Sequence, residues 1–237
     1  MYAIKIIVTF VKEVLMKIYF VRHGHPDYEN DCLTDIGSKQ AMLAAERLKD
    51  CGIDVVYSST RGRAMQTAKF TADKLGLEVI GCDFMREIAW GAINGEDGLP
   101  DKTPWDISQV LAKNGVSIRD EDWAEKEPFN KTRLVRSVKV VADGLDLWLE
   151  ELGYKREGDY YRVVAENTNR SVAMFGHGGS FGATLSHLFN VPFPQACVLF
   201  GIDFTSVIVV ELSDEVGALV YPKLASADDR HLSNINL

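Results

Sequence analysis

Apolar positions along this chain follow two alternating rhythms. Short unbroken apolar runs are separated by longer stretches in which apolar residues recur every third or fourth position. The run over 16–21 leads straight into Arg22, His23 and Gly24 and reads as a buried strand. A polar loop with a proline follows, and Thr34 then caps a helix whose apolar face, through Ala41, Leu43, Ala44 and Leu48, lasts to about Lys49. Cys51 and Gly52 end it, and Ile53, Val55, Val56 and Tyr57 make a second strand. A second helix is predicted over 61–75, stopped at Gly76, and a third strand over 77–80.

From 84 to 128 the rhythm breaks. Glycines, prolines and the tryptophans Trp90, Trp105 and Trp123 predict loops and one or two short helices, one of them over 104–113. Helical spacing returns over 131–152, and 160–164 reads as a short strand. Residues 171–175 form another buried run, followed at once by Gly176, His177, Gly178, Gly179 and Ser180. A helix is expected over 180–189, stopped by Asn190 and Pro192, then late strands over 198–202, 207–212 and 218–221, and a polar surface tail from Ala225. Strand and helix in alternation imply an α/β fold, a mostly parallel sheet flanked by helices on both faces. Residues 16–237 read as a single domain with an insertion at about 92–160, and residues 1–15 as an N-terminal extension of undetermined role. Met16 would make a natural start by itself.

Composition narrows the class. The 237 residues carry a net charge of −8, which argues against a general nucleic-acid binder. Any anionic substrate then needs a local basic pocket. No apolar run approaches the roughly 20 residues that span a membrane. Cys32, Cys51, Cys82 and Cys197 show no metal-ligand spacing and read as free thiols of a reducing, cytoplasmic setting. Oligomeric state is not legible in the sequence.

The chemistry lies at the predicted strand ends. In open parallel sheets, ligands sit beyond the carboxyl ends of the strands. Arg22 and His23 end the first strand, His177 ends a later one, and the Gly178-Gly179-Ser180 turn opens a helix whose N–H groups suit an anion. Arg63, in the first turn of the second helix, can face the same side. Two histidines and two arginines around one anion suit phosphoryl transfer, with a neutral imidazole as nucleophile and arginines on the equatorial oxygens. An acid for the leaving oxygen is also needed, and Glu87 is best placed.

Taken together, Arg22-His23-Gly24, the segments 33–41 and 58–68, Arg86 to Gly91 (REIAWG) and Gly176 to Ser180 (GHGGS) resemble the histidine phosphatase superfamily, also called phosphoglycerate mutase-like. The resemblance covers about 16–100 and 165–215. It implies His23 as the phosphorylated nucleophile, Arg22, Arg63 and His177 as the phosphate pocket, and Glu87 as acid and base. It also implies a phosphoglycerate mutase-like sheet with an inserted cap and chemistry without metal or organic cofactor. The family often has an asparagine six residues after the nucleophile; here Glu29 stands there. The mutase branch usually carries an arginine after the acid and an asparagine two residues after the second histidine. These are Ile88 and Gly179 here, which shifts the expectation to a phosphatase acting on a small phosphorylated metabolite. The alternatives are a cofactor-dependent mutase and a non-catalytic phosphate-binding module.

Plainer readings apply elsewhere. His23 and His25 have the H-x-H spacing of a metal pair, with Asp27 near, but Arg22 disfavours a cation. His25 reads as a rim or loop residue, His187 as packing, and Arg86 as a surface or ion-pair residue. The tryptophans of the insertion are expected to anchor it to the core. Lys131, Arg133 and Arg136 read as a solvated helix face.

Overall fold

The strand that ends in Arg22 is β1, Leu15–Arg22, and its side chains divide between two cores. Met16, Ile18 and Phe20 point to one face of the sheet, and Tyr19 and Val21 to the other. A computed structural model describes residues 15–91, 102–165 and 170–233. All of the extension but residue 15, and the first ten residues of the insertion, lie outside these.

A two-stranded hairpin follows β1, made of β2 (Pro26–Asp27) and β3 (Cys32–Leu33). Then come α1 (Asp35–Leu48), β4 (Val55–Ser59), α2 (Gly62–Leu75) and β5 (Val79–Cys82). The Thr34 side chain accepts from the Gly37 N–H and so caps α1. The insertion holds α3 (Pro104–Lys113), capped by Thr103, and α4 is Leu134–Glu151. A hairpin of β6 (Tyr154–Glu157) and β7 (Tyr160–Val163) leads to β8 (Ser171–Gly176), α5 (Gly178–Leu188) and α6 (Phe193–Leu199). The chain closes with β9 (Val207–Ser213), β10 (Leu219–Val220) and β11 (Lys223–Asp228).

The main sheet has the order β11-β9-β1-β8-β4-β5. The β1–β8, β8–β4 and β4–β5 pairs are parallel, and β9 runs antiparallel to its neighbours β1 and β11. Helices α4 and α5 cover one face, packing Leu145, Trp148, Phe181 and Leu185 on the β1 residues. Helices α1 and α2 cover the other with Leu48, Ala68 and Ala72. The α/β expectation therefore holds. The register sets Arg22 opposite Gly176, so the ends of β1 and β8 deliver His23 and His177 at the same level.

The late chain departs from expectation in two places. Residues 198–202 are not a strand; Val198 and Leu199 end α6. Pro192 and Pro194 favour a helix start, and Phe193 and Ala196 lie on its one buried face. The described tail from Ala225 lies largely at the surface as expected, but residues 225–228 are not a loop: they belong to β11, an edge strand on β9. Such a strand, wet on one side, has polar positions that mimic a loop. The third strand is shifted to Val79–Cys82, and β6, whose pattern is mostly polar, was not foreseen.

Candidate active site

Every site residue expected from sequence is brought to the carboxyl end of the parallel strands. His23 follows β1, and its N–H donates to Gly176 O at 3.0 Å. Its ring is buried, 1% exposed. His23 Nδ1 lies 2.7 Å from Gly24 O. A carbonyl can only accept, so Nδ1 carries the proton and Nε2 keeps its lone pair. Arg63 Nε donates toward that Nε2 at 3.3 Å. Burial, with Arg22 and Arg63 close by, pushes the His23 pKa down to about 3. The imidazole is therefore neutral at ordinary pH, the form that can act as a nucleophile.

Close backbone approach makes this possible. A Cβ on Gly24 would meet Gly37 O at 2.5 Å, so the turn after His23 can lie against the start of α1 only without a side chain. Gly24 N–H also donates to Thr67 Oγ1 at 3.1 Å, tying the turn to α2.

The cations are held separately. Arg22 Nη1 donates to Ile202 O at 2.6 Å, and its guanidinium lies 4.2 Å from the centre of the Phe204 ring. Arg63, in the first turn of α2, forms an ion pair of 2.5 Å with Asp31, whose other oxygen accepts from Gly62 N–H at 3.0 Å. Asp31 is held below the usual carboxylate range: burial opposes this, but the Gly62 N–H and Arg63 outweigh it. His177 N-caps α5, its ring centre 5.1 Å from that of His23, and its Nε2 lies 2.8 Å from Ser59 Oγ. Burial first, then His23 and the arginines, hold its pKa well below the ordinary value. Among the described residues, Arg22 Nε and His177 Nδ1 are buried without a hydrogen-bond partner. Both are groups that a bound anion would satisfy.

Glu87 approaches from the segment after β5. Its Oε1 accepts from Ile88 N–H at 3.0 Å and Ser180 N–H at 3.1 Å. Burial raises its pKa in spite of those N–H groups and the two arginines. A Cβ on Gly179 would lie 2.5 Å from Ile88 Cγ1 and 2.6 Å from Glu87 Oε1, so the acid occupies space that a side chain at 179 would need. A raised carboxyl and a neutral imidazole, both near Arg22 and Arg63, are groups able to serve as acid and nucleophile.

Other expectations resolve as follows. His25 is exposed at the rim, its Nδ1 3.1 Å from Thr34 Oγ1 and its ring 5.4 Å from Phe204. Among the described residues, no group of three or more His, Cys, Asp or Glu is placed to hold a metal ion. His187 is not simple packing; its Nε2 pairs with Asp146 at 2.9 Å. Trp90 stacks edge-on with Trp105, and Trp123 with Phe129, within a cluster that includes Ile107 and Phe193. Asp31, Ser59, Thr67 and Phe204 were not singled out from sequence. Ser59 and Thr67 stand in the same segment as Arg63, which was the available signal; Asp31 and Phe204 lie in loops that gave none.

Comparison with known proteins agrees with the geometry. The family model of the histidine phosphatase superfamily (branch 1) matches residues 18–223. Probable phosphoglycerate mutase GpmB of Yersinia pestis (strain Pestoides F) is 33% identical over 116 residues, 44% of this chain and 54% of that protein. The chain thus spans about half the length of the curated relatives it matches. Among solved structures, phosphoserine phosphatase from Entamoeba histolytica in complex with 3-phosphoglyceric acid aligns with a TM-score of 0.61 at 20% identity, over 92% of this chain and 99% of that one. A mycobacterial glucosyl-3-phosphoglycerate phosphatase with inorganic phosphate gives a TM-score of 0.61 at 24% identity, over 89% and 95%. These likenesses establish a shared fold, and the family match, which spans most of the chain, shows that this protein belongs to the histidine phosphatase superfamily, branch 1.

Proposed function

We propose that the protein is a phosphoric monoester hydrolase that works on a small phosphorylated metabolite through a phosphohistidine at His23. The observation that carries this is the fixed tautomer of His23, with Nδ1 on Gly24 O and the lone pair of Nε2 facing Arg63. In the first step that lone pair forms a P–N bond while the ester P–O bond breaks. Glu87 gives its proton to the leaving oxygen. In the second step the Glu87 carboxylate takes a proton from water, the water oxygen bonds to phosphorus, and the P–N electrons return to Nε2. Orthophosphate leaves and Glu87 is again protonated. Arg22, Arg63, His177 and the first N–H groups of α5 hold the phosphoryl oxygens, where charge spreads in the transition state. No metal or organic cofactor has a part in this scheme.

Hydrolysis is favoured over mutase action by Ile88 and Gly179, which replace the residues expected of the mutase branch. Ile88 is buried and fills the space beside Gly179, so no further polar contact to a retained phosphoglycerate arises there. The mutase reading retains one support, the name carried by the Yersinia relatives. We place the enzyme in the cytoplasm on its four unpaired cysteines. Residues 16–237 would form one domain with 92–160 as its cap.

The test is phosphate release from a panel of phosphomonoesters with chelator present, with His23→Ala as control. Wild-type release that survives the chelator is expected, together with an acid-labile, alkali-stable phosphoenzyme. Both should fall by at least about a thousandfold in the variant. Unchanged turnover in His23→Ala would overturn the proposal. Activity that depends on a bisphosphorylated primer, with little free phosphate, would establish the mutase instead.

A further inference from the structure

The turn of the β2–β3 hairpin, residues 28–31, reaches both arginines of the phosphate pocket. Asp31 pairs with Arg63. The Tyr28 ring lies on the same guanidinium, its centre 5.4 Å from the Arg63 Cζ, within cation–π range. The Tyr28 hydroxyl is beside the other guanidinium. Burial lowers the Arg22 pKa, and Glu87 and then Tyr28, the latter also through a hydrogen bond, oppose that shift. An arginine only donates, so the phenol oxygen accepts there and keeps its own proton free. One side chain thus touches the two cations that would hold an anion, and Arg22 still has its Nε buried without a partner.

The hairpin holds Tyr28 in place. Asp27 Oδ1 accepts from the Glu29 N–H at 3.0 Å and the Asn30 N–H at 3.2 Å, and Asp27 Oδ2 accepts from Asn30 Nδ2 at 2.8 Å. Asp31 closes the far end of the turn on the Gly62 N–H and Arg63. A turn fixed at both ends is ordered before a ligand arrives, which lowers the entropy cost of binding. The same bonds decide which side chain of the turn can donate. Glu29, where the family often has an asparagine, is a carboxylate and only accepts. The Asn30 amide is tied to Asp27, and the Asp31 carboxylate to Arg63. Among residues 28–31 the side-chain donor left for a phosphoryl oxygen is the Tyr28 hydroxyl. Tyr28 is 66% exposed, so its hydroxyl can turn toward a ligand without disturbing the core.

We infer that Tyr28 is a phosphate-binding residue of this site: its ring steadies Arg63, and its hydroxyl donates to a phosphoryl oxygen held by Arg22. The inference rests on the phosphatase reading for where the phosphoryl group sits, and binding tests it apart from turnover. Calorimetric titration with orthophosphate, with hydrolysis of the ester panel measured alongside, compares wild type with Tyr28→Phe, which keeps the ring, and Tyr28→Leu, which loses ring and hydroxyl. The Kd should rise about tenfold in the Phe variant and about threefold further in the Leu variant. Ground state and transition state share the phosphoryl oxygen that the hydroxyl meets, so KM should rise by a like factor for every ester while kcat changes little. A tyrosine that only covers Arg63 would leave Kd and KM of the Phe variant at wild-type values; that result would overturn the inference and leave the phosphatase reading in place. Orthophosphate binding that weakens in the Phe variant, in a wild type that hydrolyses no ester, would keep the inference and remove that reading. No binding and no hydrolysis by wild type would remove both.

Discussion

The half of the site that faces the phosphoryl group is made from the ends of β1, β4 and β8 and the start of α2. The other half is the cavity beside it, walled by residues of α3, α5 and α6 and by residues 200–203. In the first half each working side chain is tied to backbone or to another fixed side chain: His23 to Gly24 O, Arg63 to Asp31, His177 to Ser59. In the second half the walls are held by ring contacts such as Trp90 with Trp105 and Phe189 with Phe200. Ring contacts fix distance loosely and tolerate exchange, whereas hydrogen bonds fix atoms. In the proposed reaction the chemistry is thus anchored where geometry is strict, beside a wall whose elements can vary.

Glu87 sits on the seam, and its removal should separate the two halves most sharply. Glu87→Gln keeps the shape and loses the proton. For an alkyl ester, kcat/KM should fall by about a thousandfold; for p-nitrophenyl phosphate, whose leaving oxygen needs no proton, the fall should be much smaller. The pH profile gives a second readout. Glu87 must be protonated to act as acid, and burial raises its pKa. Wild-type activity on the alkyl ester should therefore decline as pH rises through that raised value, and the Gln variant should lose this limb. His23, with its pKa near 3, adds no limb at neutral pH. An equal loss on both esters would place Glu87 among the phosphate-holding groups and blur the seam.

A smaller and more uniform effect is expected on the phosphate side. Arg63→Ala removes one fixed donor and should lower kcat/KM by about a hundredfold for every ester alike. Asp31 touches no phosphate but holds Arg63, so Asp31→Asn should raise KM about fivefold and leave kcat nearly untouched. Measured across the same panel, losses that varied with the alcohol would show that the phosphate half also reads the leaving group.

The same division explains what was legible in the sequence. His23, Arg63, Glu87 and His177 stand next to predicted strand ends or helix starts, in segments whose apolar runs give their position away. Helices α1, α2 and α4 show plain periodicity because one face of each meets the sheet. Asp31 lies in a loop where positive φ, 50°, sets its geometry, and nothing in composition marks such a residue. Phe204 meets His23, His25 and Arg22 only because the chain returns beside β1 about 180 residues later, and pairings that distant leave no local trace. The edge strand β11 was hidden for a different reason, since one wet face and a bulge between Leu224 and Ser226 erase its alternation.

The smallest expected effect concerns the brace behind the phosphate half. Thr205 is buried with φ of 57°, and its N–H points at Arg22 O, 3.1 Å, and His23 O, 3.3 Å. His231 reaches in from the last turn, its Nε2 3.1 Å from Thr205 Oγ1 and its Nδ1 3.3 Å from Arg47 Nη1. Arginine only donates, so Nδ1 accepts and Nε2 carries the proton. Protonating Nδ1 would break that bond and set two cations together, and burial with Arg47 nearby pushes the His231 pKa down to about 4. A folded-state value below the ordinary 6.5 means that folding favours the neutral ring. Its contribution is complete above pH 6.5 and is eroded as pH falls toward 4. His231→Ala should therefore cost about 1 kcal/mol at pH 7, lower turnover less than about threefold, and make the fall in Tm between pH 7 and 4 shallower than in wild type. His23 and His177, also held neutral, contribute a slope of the same sign in both proteins. Two parallel Tm curves would mean that His231 does not sense pH through this contact, and that the Arg22 and His23 carbonyls steady Thr205 without it.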